Sequence, residues 1–354
     1  MDLNQEELGR RLGVTRQTVA AWEKGQREPS VTQWTQIAQH LEVPVDLLLR
    51  RDTGAQRTHH LLFRSDRAGV LTETEEERLT RRAQDYAAIE RIVGELPLLP
   101  ESRPMDGYID DAVERVAEET RDWLGVEDAP LGDVLALIEA RGLKVIRDQL
   151  PEGVWGFSAY TEDLGGVIFV NTRQNGDPVP TERQYFTALH ELGHLIFHRR
   201  EYLEGFTSVE KKDPRERTAD HFAGAVLLPA RAMRAELRLY KGRWLPEPLL
   251  LHLKQRYGVS VITILIRAAQ LGYISERQKG QQIGALKKSN PPFGEPTVGA
   301  LPPPQDLSRM KYMVLGALVA EMISASRAAE LLGKPLHQVR EDLQAWAPED
   351  DDAA

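Results

Sequence analysis

The chain of 354 residues contains no cysteine. This absence excludes disulfide bonds, thiolate metal sites and cysteine nucleophiles, and it fits a reducing compartment such as the cytoplasm. Any zinc site in the chain must therefore use histidine and carboxylate ligands. Nine histidines and 54 acidic residues are available to supply them.

The chain also lacks an apolar run long enough to cross a bilayer. The N-terminus, MDLNQEELGRR, has no apolar segment typical of a secretory signal. Stretches such as VSVITILI are far shorter than the roughly 20 apolar residues of a membrane helix. A net charge of −9 argues against nucleic-acid binding by the whole surface, but not by a local basic face. We therefore expect a cytoplasmic protein with no membrane partner.

The length and the changes in composition along the chain predict several domains, since a domain commonly has about 100 to 200 residues. The expected fold class is mainly α with a small β-sheet (α+β). The expected segments are a helical domain over residues 1–50, a helical linker over 51–105, a central domain over 106–286, a Pro/Gly-rich linker over 287–308, and a small helical C-terminal module with an acidic tail over 309–354.

The central domain contains the stretch TALHELGHLIFH at residues 187–198, whose middle is an HExxH pattern. On a helix with 3.6 residues per turn, His190 and His194 lie on one face, and Glu191 follows the first histidine. Two neutral imidazoles hold a metal ion, and an adjacent carboxylate accepts a proton from water, as zinc-dependent hydrolysis requires. The alternative is a buried amphipathic helix that happens to contain histidines.

A catalytic zinc usually has three protein ligands, so a third is expected elsewhere. The stretch DPRERTADHFAGAVLLP, residues 213–229, predicts a helix with Pro214 in its first turn. Glu216 and Asp220 share one face of it. We assign Glu216 as the third ligand of one zinc ion, and Asp220 as the carboxylate that accepts the other ring N–H of a ligating histidine. A solvated acidic face is the alternative.

These motifs together resemble the ImmA/IrrE family of zinc metallopeptidases. HELGH stands at residues 190–194, ExxAD-x-FA at 216–223 and LLP at 227–229. The preceding EGVWGFSAYTEDLGGVIFVNTR is also similar to that family, and the likeness covers about residues 130–235.

The resemblance implies a zincin-like peptidase domain that performs limited cleavage of a protein, often a transcriptional repressor. It implies a gluzincin-like ligand set of His190, His194 and Glu216, with Glu191 as general base. We expect the strand around residues 167–171 to be a sheet edge against which an extended substrate pairs.

Four other side chains could stabilise an oxyanion during peptide hydrolysis: His198, His221, Tyr160 and Tyr185. A hydrogen-bonded residue with no catalytic part is the simpler interpretation of each histidine. We assign none of the four to the site.

The N-terminal segment has helix–turn–helix spacing. One helix, from Gln5, ends at Gly13, and Thr15 caps a second that continues to Lys24 before Gly25. GVTRQTVAAWEKGQREPS, residues 13–30, resembles the Xre family of repressors and implies binding of double-stranded DNA. The helix that precedes this pair in such domains is expected to be missing.

At the start of the second helix, Arg16, Gln17 and Thr18 are the residues expected to read base edges. Lys24 and Arg27 are expected to hold phosphates. A helical docking domain that no longer touches DNA is the alternative. We expect the C-terminal helices to dock or dimerise, so a homodimer is left open.

The sequence therefore predicts a site-specific zinc endopeptidase coupled to a DNA-binding module, which regulates transcription, for example under stress, by cleaving a repressor. The alternative is a DNA-binding regulator whose peptidase-like domain senses a metal or signal without turnover. Glu191 favours the enzyme, because a site that only senses metal does not need a base beside its ligand.

Overall fold

The computed structural model describes residues 5–23, 29–30, 32–34, 36–37, 63–64, 71–95, 98–105, 107–204, 213–290, 295–304 and 308–346. The chain divides into two units, Met1–His59 and His60–Ala354, and each is described by itself. Lys24, Arg27 and the acidic tail lie outside the described residues.

The N-terminal unit contains helices α1 (Gln5–Leu12) and α2 (Arg16–Glu23). Gly13 allows the tight turn between them with φ 67°. A Cβ on Gly9 would lie 2.9 Å from the Val14 carbonyl oxygen, so α1 approaches this turn more closely than a side chain permits. The Thr15 hydroxyl accepts the backbone N–H of Thr18 at 3.2 Å and caps α2. The predicted helix–turn–helix is present.

The second unit is larger. Its helices are α3 (Glu73–Val93), α4 (Asp110–Leu124), α5 (Val134–Ala140), α6 (Thr181–Phe197), α7 (Arg199–Glu204), α8 (Pro214–Leu227), α9 (Ala230–Leu237), α10 (Glu247–Tyr257), α11 (Val261–Gln270), α12 (Glu276–Ser289), α13 (Arg309–Val319), α14 (Ala325–Leu332) and α15 (Leu336–Trp346). Its strands are β1 (Phe63–Arg64), β2 (Lys144–Asp148), β3 (Gly156–Thr161), β4 (Gly165–Asn171), β5 (Arg173–Gln174) and β6 (Asp177–Pro178).

The main sheet has the strand order β1-β3-β4-β2. Strands β3 and β4 form an antiparallel hairpin, while β2 pairs parallel to β4 with Lys144 opposite Val167. Strands β5 and β6 form a separate hairpin. Its turn residues Asn175 and Gly176 have φ values of 51° and 83°, as a type I′ turn requires.

Strand β4 is internal, so the expectation that residues 167–171 form a sheet edge is wrong. β4 has β3 on one side and β2 on the other, and all seven of its residues are buried. A continuous apolar run of this kind belongs to a strand covered on both faces.

The side chains of β4 alternate between two hydrophobic cores. Ile168 and Val170 belong to the first core, which they share with α4, α6, α8, α10 and α11. Val167 and Phe169 belong to the second core, which they share with α3 and the C-terminal helices. The alternation follows from the two-residue period of a strand. The sheet therefore lies between two layers of helices, in agreement with the predicted α+β class.

Helix α3 falls in the segment predicted to be a linker, but it forms part of the second core. Leu79 and Ile89 of α3 are fully buried there, as is Val314 of α13. Glu90 of α3 forms ion pairs with β2 and α13. Lys144 Nζ lies 2.8 Å from one of its carboxylate oxygens, and Arg309 Nη1 lies 2.6 Å from the other. The apolar stripe of α3 and the buried carboxylate of Glu90 both contribute to this packing.

Part of the predicted Pro/Gly-rich linker is helical, and another part is hydrogen-bonded to helix α6. Helix α12 continues to Ser289, within the predicted linker. The Leu301 N–H donates to Glu182 Oε1 at 3.1 Å, and the Thr181 hydroxyl donates to the Pro302 carbonyl at 2.8 Å. Residues 295–304 thus lie against the beginning of α6.

Among the described residues, no single helix is long and apolar enough to span a bilayer. Helices α10 and α11 meet the length and composition limits when taken together, but they are bent by 100° relative to each other.

Candidate metal centre

Helix α6 holds the HExxH residues inside the protein. His194 is 1% exposed and Glu191 is 4% exposed. A Cβ on Gly193 would lie 3.0 Å from Phe222 Cδ1 and 3.4 Å from Ala219 Cα. The glycine therefore lets α8 pack closely on α6, which brings the carboxylates of α8 to the histidines.

The side chains of His190, His194 and Glu216 converge and are called the His–His–Glu cluster below. The two Nε2 atoms are 3.0 Å apart. Glu216 Oε2 lies 3.2 Å from His190 Nε2, and Glu216 Oε1 lies 3.3 Å from His194 Nε2. One donor atom from each residue lies within 4.8 Å of the others, a grouping compact enough to hold one metal ion.

Each histidine of the cluster has a partner at its other ring nitrogen. Asp220 Oδ1 lies 2.9 Å from His190 Nδ1. A carboxylate only accepts hydrogen bonds, so His190 Nδ1 carries the hydrogen and neutral His190 has a lone pair on Nε2. His198 Nδ1 lies 3.1 Å from His194 Nδ1. No role was expected for His198 from the sequence, although its spacing of four residues from His194 places it on the same face of the helix.

Buried charges and hydrogen bonds shift the pKa values of the cluster residues. Burial lowers the pKa of His190, but hydrogen bonds to Asp220 and Glu216 and the charge of Glu191 raise it well above its usual value. Burial raises the pKa of Glu216, but its contacts with the two imidazoles bring it far below its usual range. The cluster thus favours additional positive charge. A divalent cation supplies that charge without protonating a histidine.

Glu191 is held by a residue of the sheet. The Ser158 hydroxyl donates to Glu191 Oε2 at 2.6 Å, and the Tyr202 hydroxyl lies 2.8 Å from the same Ser158 oxygen. Because Ser158 has a single hydrogen, which it gives to the carboxylate, it accepts the hydrogen of Tyr202. Neither residue was expected at the site from the sequence. Only Ser158 carries a signal in the sequence, as a polar residue between the apolar Phe157 and Ala159.

Strand β3 is unusually close to α6 beside Glu191. A Cβ on Gly156 would lie 2.4 Å from Thr187 Cγ2 and 2.7 Å from the Phe169 carbonyl oxygen. Only glycine fits between the strand and the helix at this point. The close approach brings Ser158, two residues further along β3, within reach of Glu191.

His221, next to Asp220 in the chain, belongs to a different network. His221 Nε2 lies 2.7 Å from Glu114 Oε1, and Arg267 Nη2 donates to Glu114 Oε2 at 2.8 Å. Burial raises the pKa of Glu114, but hydrogen bonds from Arg267 and His221 lower it to about 2. Asp110, Glu114 and His221 are close enough to bind a metal. However, the fully buried Arg267 already supplies the positive charge, so we interpret this network as a structural connection between α4, α8 and α11.

The two tyrosines considered from the sequence lie elsewhere in the unit. Tyr160, on β3, has the guanidinium of Arg199 at 5.6 Å from its ring centroid. Tyr185 is buried in the first core. Burial, followed by Asp133, raises the pKa of Tyr185 to about 12, so its hydroxyl keeps its proton at neutral pH.

The N-terminal unit presents the residues predicted to read bases. Arg16 and Gln17 are exposed in the first turn of α2. Thr18 is half-buried, and its hydroxyl lies 2.9 Å from that of Thr15. The phosphate contacts predicted for Lys24 and Arg27 fall outside the described residues.

Comparison with known families agrees with both resemblances. Residues 138–269 match the model of the IrrE N-terminal-like domain, and residues 1–48 match that of a helix–turn–helix. The chain contains an IrrE N-terminal-like domain preceded by a helix–turn–helix domain. The IrrE-like match includes all of β2, β3, β4, α6 and α8, and thus the whole His–His–Glu cluster. The chain therefore has a metallopeptidase-like domain and a domain of DNA-binding type.

Among solved structures, a Mycobacterium tuberculosis transcriptional regulator is similar to this chain at 21% identity, with a TM-score of 0.33. The similarity covers 56% of this chain and 54% of that one, so the matched part is about half the length of that protein. The comparison with curated proteins gave no match.

Proposed function

We propose that this protein is a zinc-dependent endopeptidase, coupled to a DNA-binding module, that regulates transcription by site-specific cleavage of a repressor. The observation that carries the proposal is the convergence of His190, His194 and Glu216 within 4.8 Å. Glu191, next to the first ligand, is held by Ser158. A base at this place is what hydrolysis needs and what metal sensing does not.

The donor set fits zinc. Two imidazole nitrogens and a carboxylate form a common set of three protein ligands for catalytic zinc, which leaves a position open. Asp220 keeps His190 in the tautomer that presents Nε2. When bound by these three residues, zinc would lower the pKa of a water molecule and polarise a substrate carbonyl.

The protein's own residues then move and hold the proton. Glu191 accepts a proton from the water that adds to the scissile carbonyl, and passes it to the leaving amine. Ser158 fixes one oxygen of this carboxylate by its hydrogen bond of 2.6 Å. The buried position of Glu191, at 4% exposure, limits competition from bulk water.

The helix–turn–helix domain would bring the peptidase to its substrate. Exposed Arg16 and Gln17 can contact base edges in an operator. A peptidase bound to the same DNA as a repressor meets that repressor at a raised effective concentration. A homodimer, which would read two half-sites, stays a prediction.

The test is cleavage of a defined repressor. The zinc-loaded protein is incubated with the helix–turn–helix repressor encoded beside it, and the products are identified by mass spectrometry. We expect a single new N-terminus with the unaltered protein and none with the Glu191→Gln variant at equal zinc content. An intact repressor in the presence of the fully zinc-loaded protein would contradict cleavage of this repressor and favour the sensor alternative.

A further inference from the structure

A groove of about 310 Å³ lies between α6 and α11. Trp155, Phe186, Ile262 and Ile266 line it. Phe186 is one helical turn before His190, and the centroids of their rings are 6.4 Å apart. The groove thus begins beside a residue of the His–His–Glu cluster.

The Trp155 side of the groove is connected through the chain to a residue beside Glu191. Trp155 directly precedes Gly156 in the chain, and a Cβ on Gly156 would lie 3.7 Å from Glu191 Cγ. A peptide that places a carbonyl at the cluster has its next Cα only about 3.8 Å away from the last. The side chains on either side of a carbonyl held at the cluster therefore begin within about one residue length of it.

The acidic residues of the groove wall are engaged with other parts of the protein. Lys254 Nζ lies 3.1 Å from Glu182 Oε1 and 2.7 Å from Glu295 Oε1. Glu295 Oε1 also accepts the Val261 N–H at 2.8 Å, at the beginning of α11. Lys254 balances one of these two negative charges, and Arg183, which also lines the groove, balances the other. The aromatic and aliphatic side chains make up most of the remaining wall.

The aromatic side of the groove is held in place by Arg183. The guanidinium carbon of Arg183 lies 4.5 Å from the centroid of the Trp155 ring and 5.8 Å from that of Phe186. Cation–π contacts of this kind orient both rings. A preformed apolar wall binds a ligand with a smaller loss of side-chain freedom.

We infer that this groove is the subsite that selects the residue beside the scissile bond, and that it takes a large aliphatic or aromatic side chain of an extended peptide. Its volume is near the lower end of ligand sites, about 300 to 1,000 Å³, which fits one such side chain with its backbone. The inference rests on the proposed peptidase function.

The test uses two peptide hydroxamates that differ only in one side chain, isobutyl or hydrogen. Both chelate zinc through the same group, so their difference in affinity for the zinc-loaded, full-length protein measures the groove alone. Calorimetric titration should show about ten-fold or more tighter binding of the isobutyl compound, since each methylene in an apolar pocket contributes strongly to selectivity.

The Ile266→Ala variant should reduce that preference at least about three-fold. Ile266 is 39% exposed, so the substitution leaves the core intact. The matched control is Leu239→Ala, at a residue that is 69% exposed and not among those lining the groove. The control should keep the preference.

Two results separate the inference from the function on which it rests. Equal affinity for the two hydroxamates, or an undiminished preference in Ile266→Ala, would overturn the subsite and leave the zinc site standing. A protein that binds neither zinc nor either hydroxamate would overturn the proposed peptidase function, and the subsite with it.

Discussion

The hydroxyl oxygen of Ser158 lies 2.6 Å from Oε2 of Glu191. The two residues come from different elements, β3 and α6, so the sheet determines where the carboxylate of the HExxH helix points. The position of the proposed base therefore depends on the packing between strand and helix as well as on the motif.

Ser158→Ala should slow repressor cleavage by about 10- to 100-fold, because a hydrogen bond to a charged group contributes about 1.5 to 3 kcal/mol. Its zinc content, measured by mass spectrometry, should stay at that of the unaltered protein. Tyr202→Phe, which keeps the bond from Ser158 to Glu191, should have a smaller effect. An unchanged rate in Ser158→Ala would show that Glu191 needs no support from the sheet.

His190→Ala and His194→Ala should each abolish stoichiometric zinc binding, because each removes one of three ligands. Glu191→Gln should retain zinc and lose turnover. Metal analysis of the purified variants measures this, with His252→Ala, at an exposed histidine of α10, as control. Full zinc occupancy in His194→Ala would contradict the ligand assignment.

Asp220→Ala should weaken zinc binding by about 10- to 100-fold, as loss of a partner behind a ligating histidine commonly does. Glu216→Ala should remove binding almost wholly. Competition titration with a chelator distinguishes these outcomes, and Asp122→Ala, at an exposed residue of α4, is the control. If Asp220→Ala had the greater effect, the two carboxylates would exchange roles.

The local parts of the site could be predicted from sequence because they depend on spacing along single helices. His190, His194 and Glu191 follow from 3.6 residues per turn, and Asp220 from its distance of four residues to Glu216. The structure brings these side chains together. Their roles as ligands, base and supporting carboxylate stay predictions.

The contacts between elements could not be predicted in this way. Ser158 reaches Glu191 only because Gly156 lets β3 approach α6, and no spacing rule relates residues 33 positions apart. The internal position of β4 was missed for a similar reason, since the partner strands of an apolar run are decided by the whole sheet. The packing of α3 likewise depends on distant helices.

Stability should depend on pH through Glu114. Its pKa falls from 4.5 to about 2 in the folded protein, which corresponds to at most about 3 kcal/mol, because solvent screens a partly exposed carboxylate. Because the folded pKa is depressed, this stabilisation is complete above about pH 5 and is lost as the pH falls toward 2. Glu114→Gln lacks this dependence and leaves Arg267 buried without its counter-charge.

The difference in unfolding free energy between the unaltered protein and Glu114→Gln should therefore shrink as the pH falls from 5 to 3. Urea denaturation at several pH values measures it. Glu118→Gln, at an exposed residue of the same helix, is the control. A difference that is the same at every pH would assign the effect of the substitution to packing instead.

Gln17→Ala should weaken binding to a preferred DNA site by about 1 to 3 kcal/mol and reduce the selectivity for that site. The reason is that the exposed Gln17 side chain lies in the first turn of α2, where base contacts are expected. Lys24→Ala should weaken binding to all sequences alike. It should also reduce, by about one, the slope of the logarithm of the binding constant against the logarithm of the salt concentration. Mobility-shift titrations against promoter and random DNA at two salt concentrations measure both. Failure of the unaltered protein to bind either DNA would instead indicate a docking domain.

The alternation of β4 between two cores has a consequence for how the protein unfolds. If the register of β4 shifted by one residue, Ile168 and Val170 would leave the first core and Val167 and Phe169 would leave the second. Both cores would then be disrupted at once. The helices on the two faces of the sheet therefore cannot melt independently of the strand between them. The layer that contains the His–His–Glu cluster and the layer that contains the C-terminal helices should lose amide protection in a single cooperative event, as one foldon.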